Sequence, residues 1–314
     1  MKITITEKEE GMTLLHMLKS KLSLSTRIIT RLKQRETGIT VNGERVTVRY
    51  ILKRGDLLAL DLREDPEAID NVLPTDLPLD ILYEDADIVV VNKPPYMPSH
   101  PSRGHYDDTL ANALAFYYQK QNIPFVCRIL TRLDRNTSGV VLLAKNMLSA
   151  SRLSASLLQG EVEKNYITLL SGTPKNRAGD IRAPIRRAAD SIILRTVAED
   201  HREPGAQAAH TRYRTLAENG KYSAILASPV TGRTHQLRVH FSHIGHPIIG
   251  DKLYGGDSTL LPRQALHALS LTFRHPTTGL PMTINAPLPS DLTDFIVQNF
   301  DKNLAEQISE FTLS

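Results

Sequence analysis

The stretch Arg132-Leu133-Asp134-Arg135-Asn136-Thr137-Ser138-Gly139 runs directly into Val140-Val141-Leu142-Leu143-Ala144. Asn, Thr and Ser suit a tight turn, and Gly139 permits backbone geometry that a side chain blocks. The apolar run behind them reads as a buried strand. The pattern therefore holds the Asp134 carboxylate at the mouth of a sheet. Arg132 and Arg135 flank it, and their charge favours its ionised form. On this stretch alone a structural ion pair in a turn is the plainer reading, and a catalytic acid the sharper one.

Three other segments carry candidate residues on or beside a strand. Ile88 to Val91 is a short β-branched run ending in Asn92-Lys93-Pro94-Pro95. With Pro98 and Pro101, these prolines forbid regular structure, so Lys93, Tyr96 and His100 are expected on a stiff loop. Tyr166 lies in the strand pattern Glu163-Lys164-Asn165-Tyr166-Ile167-Thr168-Leu169-Leu170, where an isolated tyrosine is usually core. Tyr222 to Ala227 reads as a strand, Pro229 to Gly232 as a turn, and Thr234 to Ile244 as a helix ended by Gly245 and Pro247. Arg233, His235, Gln236, Arg238, His240, His243 and His246 fall in or beside that helix. The histidines raise a zinc site, but there is no His-Glu-x-x-His pattern and Cys127 is the only cysteine. No metal is expected.

Composition bounds the rest. With 314 residues, 41% apolar and 23% charged, the chain reads as an ordinary globular protein of one large domain or two. The start, MKITITEKEE, carries no leader pattern, and no apolar run approaches the roughly 18 residues of a membrane helix. A cytoplasmic, reducing location and a monomer are expected. The net charge is +4, but residues 1 to 65 hold 13 Lys and Arg against 9 Asp and Glu, while the remainder is balanced. No Lys or Arg occurs between Glu64 and Asn92, where Asp65, Glu67, Asp70, Asp76, Asp80, Glu84, Asp85 and Asp87 join Pro66, Pro74 and Pro78. That stretch reads as a linker that avoids phosphate.

In the basic first segment, Thr13 to Lys21 has helical spacing and a second helix starts near Ser25. Arg27, Arg31 and Arg35 are four apart, on one face of that helix. Like charges so placed repel, so they point either to a polyanion or to a solvated basic face. Ile39 and Val41, the turn Asn42-Gly43, and Val46 and Val48 form a hairpin pattern, followed by a strand from Leu57 to Leu62. Two short helices followed by GITVNGERV and KRGDLLAL resemble the alpha-L RNA-binding module, which implies binding to structured RNA through phosphates.

Together, VVNKPPYMPSHPS, RLDRNTSGVVLLAK, EKNYITLL and TGRTHQLRVHFSHIGHPIIGDKLYG resemble the RluA family of RNA pseudouridine synthases, over roughly residues 85 to 287. The resemblance implies an α+β fold, a mixed and largely antiparallel sheet of the pseudouridine synthase type flanked by helices and loops. Its expected parts are an alpha-L module over 1–64, an acidic linker over 65–82 and a catalytic domain over 83–314. It also implies a reaction without cofactor or metal. Uridine is detached from its sugar at nitrogen, rotated, and rejoined through carbon five.

Within that resemblance Asp134 matches the required carboxylate, which attacks the sugar or takes a proton from it. Arg238 matches the arginine that pairs with the carboxylate. Tyr166 matches the tyrosine that stacks on the base and is placed to help remove the proton at carbon five. Arg132 matches the arginine that fills the gap left by a flipped base. Arg233, His235, Gln236, Lys93, His100 and the three arginines of the first segment are expected to meet RNA. Ribosomal RNA of the large subunit stands ahead of transfer RNA as substrate. Two departures are visible: Thr131 stands where histidine is usual, and Pro95-Tyr96 where alanine-glycine or proline-glycine is common. The rival readings are an inactive RNA-binding scaffold and a carbohydrate-active or metal-dependent hydrolase, the latter lacking a second acid in the motif.

Overall fold

The computed structural model describes residues 1–62, 72–301 and 303–310. The first segment builds a sheet in the order β1 (Lys2–Thr4), β4 (Leu57–Leu60), β2 (Ile39–Val41), β3 (Glu44–Arg45), covered by α1 (Leu14–His16), a π-helical turn over Met17–Lys21 and α2 (Thr26–Gln34). Ser25 caps α2 by accepting from Ile28 N–H, and Ile29 and Leu32 face a core shared with Leu14, Leu18, Val41 and Leu58. Asn42 and Gly43 take φ of +54° and +86°, the paired left-handed geometry of a two-residue hairpin turn. The returning strand is only Glu44–Arg45, shorter than the Val46 and Val48 spacing implied.

The basic stripe of α2 does not form as expected. The helix ends at Gln34, and Arg35 is already extended with ψ of 143°. Its Nη1 donates to Asp61 O at 2.9 Å and lies 3.8 Å from the Asp61 carboxylate. Arg31 is half-buried and points Nη1 at Met147 Sδ of the second domain, 3.1 Å away. Of the three arginines, Arg27 alone is exposed.

The second unit is a nine-stranded sheet made from β5 (Ile81–Glu84), β6 (Ile88–Lys93), β7 (Ser138–Ala144), β8 (Glu163–Ser171), β9 (Ala178–Arg182), β12 (His210–Glu218), β13 (Tyr222–Pro229), β14 (Leu266–Arg274) and β15 (Pro281–Asn285). Its order is β5-β6-β7-β14-β8-β13-β12-β9, with β15 also on β14. Every pairing is antiparallel except β7 with β14. That parallel contact spans only Ser138–Gly139 against His267–Ala268. Gly139, at φ +113°, makes it possible, because a Cβ there would stand 2.2 Å from Ala268 O. A separate hairpin pairs β10 (Ile185–Arg187) with β11 (Arg195–Val197).

Helices α3 (Leu110–Lys120), α4 (Met147–Gln159), α5 (Gln236–His243), α6 (Ser290–Asn299) and α7 (Asn303–Glu310) surround the sheet. The largest core lies around β8 and β13, with Leu237 and Phe241 of α5 and Phe295 of α6. The arrangement is the mixed, mainly antiparallel α+β sheet that the sequence implied.

Of the acidic linker, Glu64, Asp65, Pro66, Glu67 and Asp70 lie outside the described residues. Residues 72–80 are not a free connector: Asn112 of α3 donates to Leu73 O and receives Thr75 N–H, and Leu77 and Leu79 pack into the core beside α3. The acids that follow are engaged inside the domain. Glu84 accepts from Lys145, Tyr117 and Tyr118, and Asp85 accepts from Tyr83 and His275. The two units meet on α4, where Ser151 accepts from Ser25 N–H and donates to Ser23 O, and Leu148 packs on the first core.

Candidate active site

The turn before β7 is fixed by its own backbone. Four successive carbonyls each accept a hydrogen bond: Leu133 from Ser99 Oγ at 3.1 Å, Asp134 from Thr137 N–H at 3.0 Å, Arg135 from Lys93 Nζ at 3.1 Å and Asn136 from Arg263 Nη1 at 3.1 Å. Thr131, in the position where histidine is usual, is buried and accepts from Leu142 N–H, which ties the start of the turn to β7. A turn held at so many points fixes where the Asp134 side chain emerges.

That side chain is 26% exposed, at the base of a cleft of about 850 Å³. Arg238, rising from α5, donates Nη1 to Asp134 Oδ2 at 3.0 Å. Its Nε and Nη2 grip Asp251 at 2.7 and 2.8 Å, so one guanidinium joins two carboxylates. The Tyr254 ring lies 4.9 Å from the guanidinium carbon. The flanking Arg132 and Arg135 are not the charge partners of Asp134: Arg132 is exposed on the cleft wall, and Arg135 donates to Tyr96 O.

His235, the second residue of the expected helix, takes φ +58°, so α5 begins only at Gln236. This left-handed turn swings its ring toward Asp134, with Nε2 3.7 Å from Oδ2. The Tyr254 hydroxyl accepts from Arg195 N–H and bonds His235 Nδ1 at 2.8 Å; when the hydroxyl donates that bond, the imidazole carries its proton on Nε2, toward the carboxylate. Burial lowers the His235 pKa, while the charge of Asp134 pulls the other way.

Tyr166, on β8, lines the same cleft, and its hydroxyl has no hydrogen-bond partner among the described residues. Burial first, and Asp134 second, push its phenol well above the ordinary range. His100 and Arg233 also line the cleft, Arg233 exposed and donating to Ala208 O. Gln236 is there too, but its amide is spent on protein: it accepts from Thr231 and Arg233 N–H and donates to His210 O and Thr211. It holds the turn before α5 instead of presenting a free edge to RNA.

Lys93 departs furthest from expectation. It is the last residue of β6, has no exposed surface, and donates to Pro94, Met97 and Arg135 carbonyls. Burial draws its pKa down to about 7, against the opposing charge of Asp134. It fastens two loops together and has no surface to offer a ligand. Tyr96, at φ +67°, occupies the backbone region where glycine is at ease, which gives a physical reason for glycine at that position in relatives.

The sequence reading gave no role to Asp251, Tyr254 or Arg263. The first two lie inside the quoted run ending GDKLYG, and that was their only signal. Arg263 is 1% exposed and also grips Asp291 at 2.7 and 2.8 Å. The histidines do not gather: His240 bonds Thr211 and Ala183 O, and His246 bonds Ser171 O. Among the described residues one group lies close enough to hold an ion, Asp85, Asp87 and His275, and none of these lines the cleft.

Residues 87–243 match the family described as RNA pseudouridylate synthase, and residues 1–58 match the N-terminal domain of the RluD ribosomal pseudouridine synthase. An uncharacterized RNA pseudouridine synthase of Bacillus subtilis, YjbO, is 41% identical over 88% of this chain and 95% of its own. The ribosomal large subunit pseudouridine synthase D of Yersinia pestis is 35% identical over 83% of this chain and 82% of its own. Among solved structures, human RNA pseudouridylate synthase domain containing 1 superposes with a TM-score of 0.55 at 27% identity, covering 72% of this chain and 87% of that one.

Proposed function

The chain belongs to the RNA pseudouridylate synthase family, and from that membership we propose that it isomerises specific uridines of large-subunit ribosomal RNA, with Asp134 as the essential carboxylate. The observation that carries the site assignment is the 3.0 Å bond from Arg238 to Asp134 in the cleft that Tyr166 also lines. The choice of RNA is supported by relatives named as ribosomal large subunit synthases, at 35% and 37% identity.

The reaction breaks the bond from uracil N1 to the sugar and makes one from C5. The proton lost at C5 is balanced by one gained at N1, so no redox partner is needed. Asp134 meets the electron-poor sugar carbon or its neighbouring proton, and must be ionised to do either. Arg238 holds the carboxylate in one orientation, and Asp251 holds Arg238.

Tyr166 meets the base as a neutral phenol, because its proton is held tightly. We therefore assign it the stacking role, worth roughly 1 to 3 kcal/mol per base. Acting as a phenolate base is the less favoured half of its expected part. Arg132, exposed beside Asp134, is placed to fill the space left by the flipped uridine, whose unstacking costs a few kcal/mol.

Asp134→Asn is expected to abolish pseudouridine formation while retaining RNA binding, and full turnover by that variant would overturn the assignment. Mapping pseudouridines in total RNA from a deletion strain against its parent identifies the RNA. Loss confined to transfer RNA would overturn the ribosomal reading.

A further inference from the structure

Among the described residues, one half-buried cation of the cleft has no partner. Arg238 has two carboxylates, Arg263 has Asp291, and the buried Lys93 has three carbonyls. Lys164 lines the cleft, yet among the described residues its ammonium makes no ion pair or hydrogen bond. Burial lowers its pKa, the sign of a charge that the protein desolvates without compensating. An unpaired, half-buried ammonium is a cost to folding, and a ligand anion relieves it.

We propose that Lys164 binds a phosphate of the RNA strand next to the flipped uridine. This rests on the synthase reading of the cleft. Lys164 and Tyr166 are two apart on β8, so both side chains leave the same face of the sheet, about 7 Å apart along the strand. Asn165, between them, points to the other face and bonds Ser228 and Ser270.

The Lys164 ammonium lies under the turn before α5, 3.7 Å from where a Cβ on Gly232 would stand. Gly232 has no side chain to screen it, and exposed Arg233 follows in the same turn. Two cations from different elements at the rim of the cleft, beside a bare glycine backbone, fit an anion that approaches from outside. That describes the sugar–phosphate strand as it leaves the site, while the base lies against Tyr166.

The test uses the full chain carrying Asp134→Asn, so that no turnover intervenes, and fluorescein-labelled decauridylate as probe. Lys164→Met is expected to weaken binding about tenfold, the worth of one charge-assisted contact. It is also expected to reduce the slope of log affinity against log salt by about 0.7. Lys164→Arg should keep the slope, which separates loss of charge from loss of fold.

In chains with Asp134 intact, acting on tritiated ribosomal RNA, Lys164→Met should raise KM and leave kcat. A fall in kcat with affinity and slope unchanged would overturn the proposal, since it would place the ammonium on the base. So would identical affinity and slope in both variants. If the slope falls as expected but the intact chain converts no uridine, the phosphate site stands and the synthase reading fails.

Discussion

Arg238 and Asp251 form a two-point pair, Nε and Nη2 to the two carboxylate oxygens at 2.7 and 2.8 Å, and this leaves only Nη1 to meet Asp134. Asp251 is 1% exposed and Arg238 is 7% exposed. The guanidinium is thus aimed by a buried residue that does not line the cleft.

Removing one member of a buried pair leaves the other charge uncompensated and costs about 3 to 5 kcal/mol. Asp251→Asn should therefore lower thermal stability by that order and reduce turnover, although Asp134 is untouched. Adding Arg238→Met should recover stability but not activity, and a calorimetric and kinetic double-mutant cycle reads both. Unchanged kcat in Asp251→Asn would show that Arg238 aims itself.

The three arginines of the first segment should behave differently. Arg27→Glu is expected to weaken RNA binding and flatten its salt dependence. Arg35→Ala should instead destabilise the module by about 1.5 to 3 kcal/mol, because its bonds go to Asp61. Salt titration of RNA binding, beside thermal unfolding of each variant, separates the two. Equal salt slopes for Arg27→Glu and the parent would place the RNA face elsewhere.

His267 gives the fold a pH dependence. Burial holds its imidazole at about 4 against an ordinary 6.5, with Nδ1 bonded to Ser138 Oγ and Nε2 to Ala286 O. The unfolded chain therefore takes up the proton first as pH falls. Its contribution is complete above pH 6.5 and is lost between there and pH 4, by about 3 kcal/mol. Denaturant unfolding of His267→Gln should show a correspondingly shallower acid loss than the parent, and parallel curves would refute the assignment.

Gly139→Ala should be severe. The new methyl meets the Ala268 backbone at 2.2 Å, in a conformation that L residues rarely adopt, and the cost is on the order of 3 kcal/mol or more. Poor soluble yield or a strongly lowered melting temperature is expected. A parent-like melting temperature would mean that the β7–β14 junction yields.

Local chemistry was readable from the residues. The Asn42-Gly43 turn, the Ser25 cap and the apolar runs that became β6 and β7 depend on propensities and spacings within a few positions. The motifs themselves named Asp134, Tyr166 and Arg238, and the structure brings those three into one cleft. Periodicity failed where a neighbour in space intervened. Arg35 fits the helical spacing of Arg27 and Arg31, but Asp61 receives it beyond the helix end.

By itself the sequence determined the family, the mixed sheet and the residue types of the site. Only the tertiary structure decided which charges meet. Lys93 became an internal clamp with no exposed surface, Asp251 became the partner that aims Arg238, and Lys164 was left without a partner among the described residues. The reason is that a side chain's burial and pairing depend on elements far away in the chain. Asp134 and Arg238 are 104 residues apart, and the bond between them forms only once α5 is packed against the sheet.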